Sequence, residues 1–141
     1  MRALPLRIIA DTNLWVSYFL GQNMKARLEK ILFNPAFTLL VSTESLRELE
    51  SILARPKFAR YISATQIREL LEAIEIRAEI VSVRSPVTAS RDRKDDFLLA
   101  LCRDGHADYL ITGDLDLLVL EQFNGTKILN LTDFENLAGL L

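Results

Sequence analysis

The stretch Arg7-Ile8-Ile9-Ala10-Asp11-Thr12-Asn13 is where an apolar run ends abruptly in a carboxylate, a hydroxyl and an amide. Leu6 to Ala10 is short and rich in β-branched residues, which suits a buried strand better than a helix of that length. Asp11 then stands at the carboxyl end of the strand. Far along the chain the same arrangement recurs: Tyr109-Leu110-Ile111-Thr112 reads as a strand, followed by the loop Gly113-Asp114-Leu115-Asp116. In open α/β sheets, binding sites form outside the carboxyl ends of strands, where loops from separate units converge.

The intervening sequence supports a sheet of that kind. Leu14 to Leu20 and Lys25 to Leu32 carry apolar residues at helical spacing, divided by Gly21-Gln22-Asn23. Phe37 to Val41 is the next strand, and Ser42 is placed to cap a helix in which Leu46, Leu49 and Leu53 share a face beside Glu48 and Ile52. Arg55-Pro56 ends that helix, and residues 56 to 61 form a basic, aromatic connector. Ser63-Ala64-Thr65-Gln66 has the form of a capping box, opening an amphipathic helix through Ile67, Leu70, Leu71 and Ile74. Ile80 to Val83 reads as a third strand and Arg84 to Lys94 as a polar loop. From Asp95 a helix with apolar residues nearly all round runs to Gly105. The spacing then predicts a helix over Leu117 to Phe123, a strand over Lys127 to Asn130, and a last helix opened by a capping box at Thr132-Asp133-Phe134-Glu135. Strands alternate with helices throughout, the pattern of one α/β domain over residues 1–141 with a mainly parallel sheet of about five strands.

Composition narrows the function. Half of the 141 residues are apolar and about a quarter are charged, an ordinary balance for a globular protein. The one cysteine, Cys102, allows neither an intramolecular disulfide nor a cysteine-based zinc site, which points to a reducing compartment and a cytoplasmic location. No apolar run reaches the roughly 18 to 20 residues of a membrane span, and Met1 to Pro5 is too short for a signal peptide. The net charge of −2 conceals an asymmetry. Residues 1–46 carry five basic and three acidic groups, 47–94 ten and seven, and 95–141 two and nine. A basic rim around an acidic, metal-loaded centre would still steer a polyanion, although solvated helix faces explain these charges equally well.

The groups able to carry chemistry are Asp11, Glu48, the cluster Asp92/Asp95/Asp96 and the pair Asp114/Asp116. Hard divalent cations such as Mg²⁺ and Mn²⁺ favour carboxylate oxygens. His106 is the single histidine, at a helix end, so a serine or cysteine triad has little to rest on. The five glycines are isolated and form no phosphate loop, which removes the nucleotide-cofactor enzymes. Each acid also has an ordinary structural reading. Asp11-Thr12-Asn13 is turn chemistry, Glu48 a solvated helix acid, Asp95 and Asp96 helix N-terminal charges, and Asp114 or Asp116 a cap. Their joint placement at strand ends and helix starts is what favours a site.

With these positions in view, the sequence resembles the PIN-domain nucleases, in the branch described as toxin components of toxin–antitoxin systems. The resemblance covers nearly the whole chain. It rests on Ile9 to Asn13, on Val41-Ser42 with Leu46-Arg47-Glu48-Leu49 and Leu53 to Phe58, on Asp92 to Asp96 running into Leu98-Leu99-Ala100, and on Ala107 to Leu118. It implies a PIN-like three-layer α/β/α sandwich and a cluster of acids binding one or two Mg²⁺ or Mn²⁺ ions to cleave single-stranded RNA by water attack. Matched residue by residue, Asp11, Glu48 and Asp114 correspond to three of the family acids. The remaining one is Asp95, with Asp96 and Asp92 as neighbouring candidates and Asp116 as a further metal ligand beside Asp114. Asn13, Ser42 and Thr112 match polar positions that hold the carboxylates in place. Arg93 departs from the branch, which usually has proline there. Toxin-like relatives imply a small antitoxin protein as partner, and a homodimer.

The sequence therefore predicts a metal-dependent endoribonuclease, with Arg47, Arg55, Lys57 and Arg60 positioning the RNA backbone. The alternative is a catalytically idle module that keeps the fold and binds RNA or a partner. A phosphoaspartate mechanism fits poorly, because Asp11-Thr12-Asn13 lacks a second aspartate and no lysine follows a late strand.

Overall fold

A computed structural model of the chain describes residues 4–84 and 93–140, with the backbone alone for Arg93 and Lys94. Among these residues six strands form one sheet: β1 (Leu6–Ala10), β2 (Phe37–Val41), β3 (Glu79–Ile80), β4 (Tyr109–Ile111), β5 (Gln122–Phe123) and β6 (Thr126–Leu129). The order across the sheet is β3-β2-β1-β4-β6-β5. All pairings are parallel except that of β5 with β6. The helices are α1 (Thr12–Leu20), α2 (Met24–Leu32), α3 (Thr43–Leu53), α4 (Ala64–Arg77), α5 (Arg93–Asp104), α6 (Leu115–Leu118) and α7 (Leu131–Ala138), with a single 3-10 turn at Pro56–Phe58.

Alternation along the strands makes this a three-layer sandwich. Successive strand side chains point to opposite faces. Ile8, Leu39, Ile111 and Leu129 enter one core with Trp15, Leu28, Leu53, Ile74 and Phe134, drawn from α1 to α4 and α7. Their neighbours Ile9, Leu40, Leu110 and Ile128 enter the other with Leu99, Leu101 and Leu117 from α5 and α6. Both sheet faces are thus covered, which is why the strands read as continuous apolar runs. From β1 the order runs to β2 and β3 on one side and to β4 and β6 on the other. The crevice between the carboxyl ends of β1 and β4 is therefore the topological switch point.

Several expected elements are corrected. The sheet has six strands rather than about five, and residues 117–123 are not one helix. Helix α6 stops at Leu118, and Glu121 (φ 62°), Asn124 (φ 47°) and Gly125 (φ 84°) are left-handed. The chain turns at Asn124-Gly125 into the β5–β6 hairpin, the pairing that such a dipeptide favours. Strand β3 is shifted toward Glu79, and Val81 keeps one bond to the Val41 carbonyl before the chain leaves the sheet. The last helix starts earlier than expected, because Asn130 is its cap and accepts from the Asp133 amide at 2.8 Å. Thr132 and Glu135 instead accept hydrogen bonds from Arg27 of α2.

Candidate active site

Asp11 is buried at the end of β1 and does two jobs. One carboxylate oxygen caps α1 by accepting from the Asn13 amide at 3.3 Å, and the other accepts from the Thr112 hydroxyl at 2.7 Å. Thr112, fully buried just beyond β4, in turn accepts from the Asp114 amide at 3.0 Å. Asp114 caps α6, its carboxylate accepting from the Asp116 amide at 2.9 Å. A single hydroxyl thus ties the acids of two adjacent strands together. The sheet register makes this possible, because Ala10 pairs with Ile111 and the next residue on each strand faces the crevice.

Asp95 arrives from a third direction, the first turn of α5, and is buried. Oxygens of Asp95, Asp114 and Asp116 all lie within 4.8 Å of one another. Such crowding is unfavourable for like charges, and two helix N-termini offset part of it. Asp11 caps α1 and Asp95 sits in the first turn of α5, where the macrodipole is worth about 0.3–1 kcal/mol to an anion.

Asp11, Asp95 and Asp114 open into a cleft of about 250 Å³, of whose lining Asp116 is not a part. Four acids line it, Asp11, Glu48, Asp95 and Asp114, together with the polar residues Thr12, Asn13 and Ser45. Among the described residues Arg55 is the cation on its wall, and Ile52, Phe97 and Leu98 supply the apolar surface. Glu48 reaches the cleft from α3, one turn from Ile52. The donor set is all oxygen, which fits a hard divalent cation and not a soft or imidazole-seeking metal. Asp95, Asp114 and Asp116 would hold such an ion.

The geometry separates the expected residues. Asp95 is buried and lines the cleft, whereas the adjacent Asp96 is partly exposed and is not part of its lining. Asp92 lies outside the described residues. Asn13 lines the cleft and supports Asp11 through its backbone amide. Ser42 is fully buried, and its bonds go to Ser45: its hydroxyl accepts from the Ser45 amide at 3.0 Å and its amide donates to the Ser45 hydroxyl at 2.9 Å. It is Ser45 that reaches the cleft. Of the four basic residues expected to position RNA, Arg55 lines it; Arg47, Lys57 and Arg60 are exposed elsewhere, with Lys57 over the Phe58 ring at 5.0 Å. Neither Ser45 nor Phe97 is an expected site residue; Phe97 belongs to the helix from Asp95 whose all-round apolar pattern suggests deep burial, and it is instead partly exposed at the cleft. Ser45 stands three residues before Glu48, on the same helix face, which is the signal that would have found it.

A doubly wound α/β domain with an acidic cleft at its switch point defines a class of proteins suited to binding a metal-associated anion. The chain belongs to the PIN domain family, whose model matches residues 7–116, from β1 through the Asp114–Asp116 loop. PIN domains are generally nucleases. The fold is similar to that in a crystal structure of VapBC2 from Rickettsia felis bound to a DNA fragment from their promoter. The TM-score is 0.57 at 15% identity, over 89% of this chain and 98% of that one. No curated protein matches the sequence. Among the described residues, no helix is long and apolar enough to cross a membrane.

Proposed function

We propose that the chain is a divalent-metal-dependent endoribonuclease, cutting single-stranded RNA by hydrolysis and acting as the toxin of a toxin–antitoxin pair. The observation that carries this reading is the convergence of Asp11, Glu48, Asp95 and Asp114 on one cleft, with Thr112 bridging Asp11 to Asp114. A bound Mg²⁺ or Mn²⁺ would supply neutralisation of phosphate charge and acidification of a water at neutral pH. Asp95, Asp114 and Asp116 are the ligands we assign to it, with Asp11 and Glu48, which line the same cleft, assigned to orient the water and accept its proton. Arg55 meets the phosphate chain at the cleft wall, where a cation fixes position without reading sequence. The similarity to VapBC2 supports a small antitoxin as partner. We further assign a cytoplasmic homodimer.

The test is incubation of the purified protein and Mn²⁺ with mixed-sequence RNA, with EDTA, single-stranded DNA and Asp11→Asn as controls. Metal-dependent cutting of RNA that Asp11→Asn loses is the expected result. Undiminished cutting by Asp11→Asn removes Asp11 from the chemistry. Binding without turnover identifies the idle module instead. Asparagine is itself a good helix cap, so the melting temperature of Asp11→Asn should stay within a few degrees of wild type.

A further inference from the structure

Phe97 stands apart from the other phenylalanines. Phe134 is buried in the first core, Phe19, Phe37 and Phe58 pack against it, and Phe123 packs against the second. Phe33 lies under the Arg77 guanidinium at 4.4 Å. Phe97 belongs to neither core cluster among the described residues, is partly exposed, and lines the acidic cleft two residues from Asp95. A large apolar ring beside four carboxylates does nothing for a metal ion and gains little from burial in so polar a setting. A nucleobase is the group such a ring accommodates, because every base offers a π-face and stacking needs no hydrogen-bond match.

The rest of the cleft agrees. Arg55 lines it from the end of α3, and neither an ion pair nor a side-chain hydrogen bond is found for it among the described residues, so its charge is available to a phosphate. The volume, about 250 Å³, is below the roughly 300–1,000 Å³ of pockets that enclose a drug-sized molecule, so the cleft does not engulf a whole ligand of that size. We propose that Phe97 is a substrate-positioning residue that stacks on the base next to the scissile phosphate, so that the cleft accepts an unpaired strand with the base turned out. This rests on the nuclease reading above and adds to it the residue that selects an unstacked base.

The test uses RNA oligonucleotides carrying a single 2-aminopurine, or a single abasic site, moved stepwise across the cut position. Wild type and the variants Phe97→Ala, Phe97→Leu and Phe97→Trp are compared for KM and kcat. Binding is read separately, by 2-aminopurine fluorescence with Mn²⁺ on the Asp11→Asn protein with and without each Phe97 change. Phe97→Ala should raise KM by about tenfold, in line with base stacking on an aromatic, and leave kcat nearly unchanged, while Phe97→Trp restores KM. Fluorescence should be quenched at one position only, and an abasic site there should cost wild type the same factor but cost Phe97→Ala nothing more. Phe97→Leu keeps apolar bulk without a π-face, so it should melt like wild type and bind like Phe97→Ala. A Phe97→Leu variant that binds like wild type, an abasic penalty that survives in Phe97→Ala, or absence of quenching at every position overturns the proposal. If no RNA is cut, the nuclease reading fails, while quenching at one position that Phe97→Leu abolishes still establishes stacking.

Discussion

Replacing Thr112 with valine keeps shape and volume but removes the hydroxyl that joins Asp11 to Asp114. The Asp11 carboxylate loses a donor at 2.7 Å, and the Asp114 amide loses its acceptor at 3.0 Å. A hydrogen bond to a charged group is worth about 1.5–3 kcal/mol, and an orphaned buried amide costs about 1–3 kcal/mol. The two overlap because one atom serves both, so about 3 kcal/mol is expected for the pair. With an unfolding entropy of about 2.1 cal/mol/K per residue over a chain of this length, that corresponds to a fall of about 10 °C in Tm. Thr112→Ser deletes the methyl and keeps the hydroxyl, which should cost only about 1 kcal/mol. The assay is thermal unfolding by circular dichroism in EDTA, with serine and valine side by side. Valine should melt well below serine although it is the more apolar residue. A valine variant equal to or above serine would refute the claim that the hydroxyl, and not packing, secures the two acids.

Other perturbations probe the frame around the site. Burial pushes the Cys102 thiol up to about 12, so it should resist a thiol-specific chromogenic reagent in the native state and react only on unfolding; rapid native labelling would contradict this. The Arg103 guanidinium, with the Arg84 amide, holds the Asp104 carboxyl below its ordinary value of 3.8. A depressed acid contributes stability above its unfolded pKa and loses it as pH falls through the folded one. Asp104→Asn should therefore be less stable than wild type near neutrality, with the gap closing in urea melts below about pH 4. Arg27→Ala leaves the Glu135 carboxylate, 3% exposed, without its partner and should destabilise by about 3 kcal/mol; Arg27→Ala with Glu135→Leu should recover much of this, and a double variant no better than the single one would count against the pair.

The features legible in the sequence were those with a local signal. Leu6 to Ala10 and Phe37 to Val41 are strands at the expected bounds, because uninterrupted apolar runs flanked by turn residues leave few alternatives. The Ser63–Gln66 capping box forms as its spacing indicates. Two expected elements give way to a competing local signal. Asn124-Gly125 is a strong hairpin dipeptide, and it overrides the helical spacing of the apolar residues before it, Leu120 and Phe123. Thr132 to Glu135 satisfied a capping pattern, but Asn130 stood closer to the strand end and took the cap. At the cleft, the choice between Asp95 and Asp96 was not available from spacing. It depends on which face of α5 turns toward β1 and β4, a property of packing. Phe97 reaches the cleft for the same reason, whereas Ser45 carries a local signal, standing three residues before Glu48 on one helix face.

Asp11 and Asp114 each cap the start of a helix as well as facing the cleft. In the nuclease proposed above, architecture and chemistry draw on the same atoms, and a copy of this domain that had ceased to turn over substrate would still be under pressure to keep both aspartates, or to change them only to another capping residue. The presence of these acids in a chain reports folding as much as catalysis. Glu48, which caps nothing and lies in the middle of α3, carries no such second duty. In the proposed nuclease its identity, more than that of either aspartate, is where a lapse of activity would first be recorded.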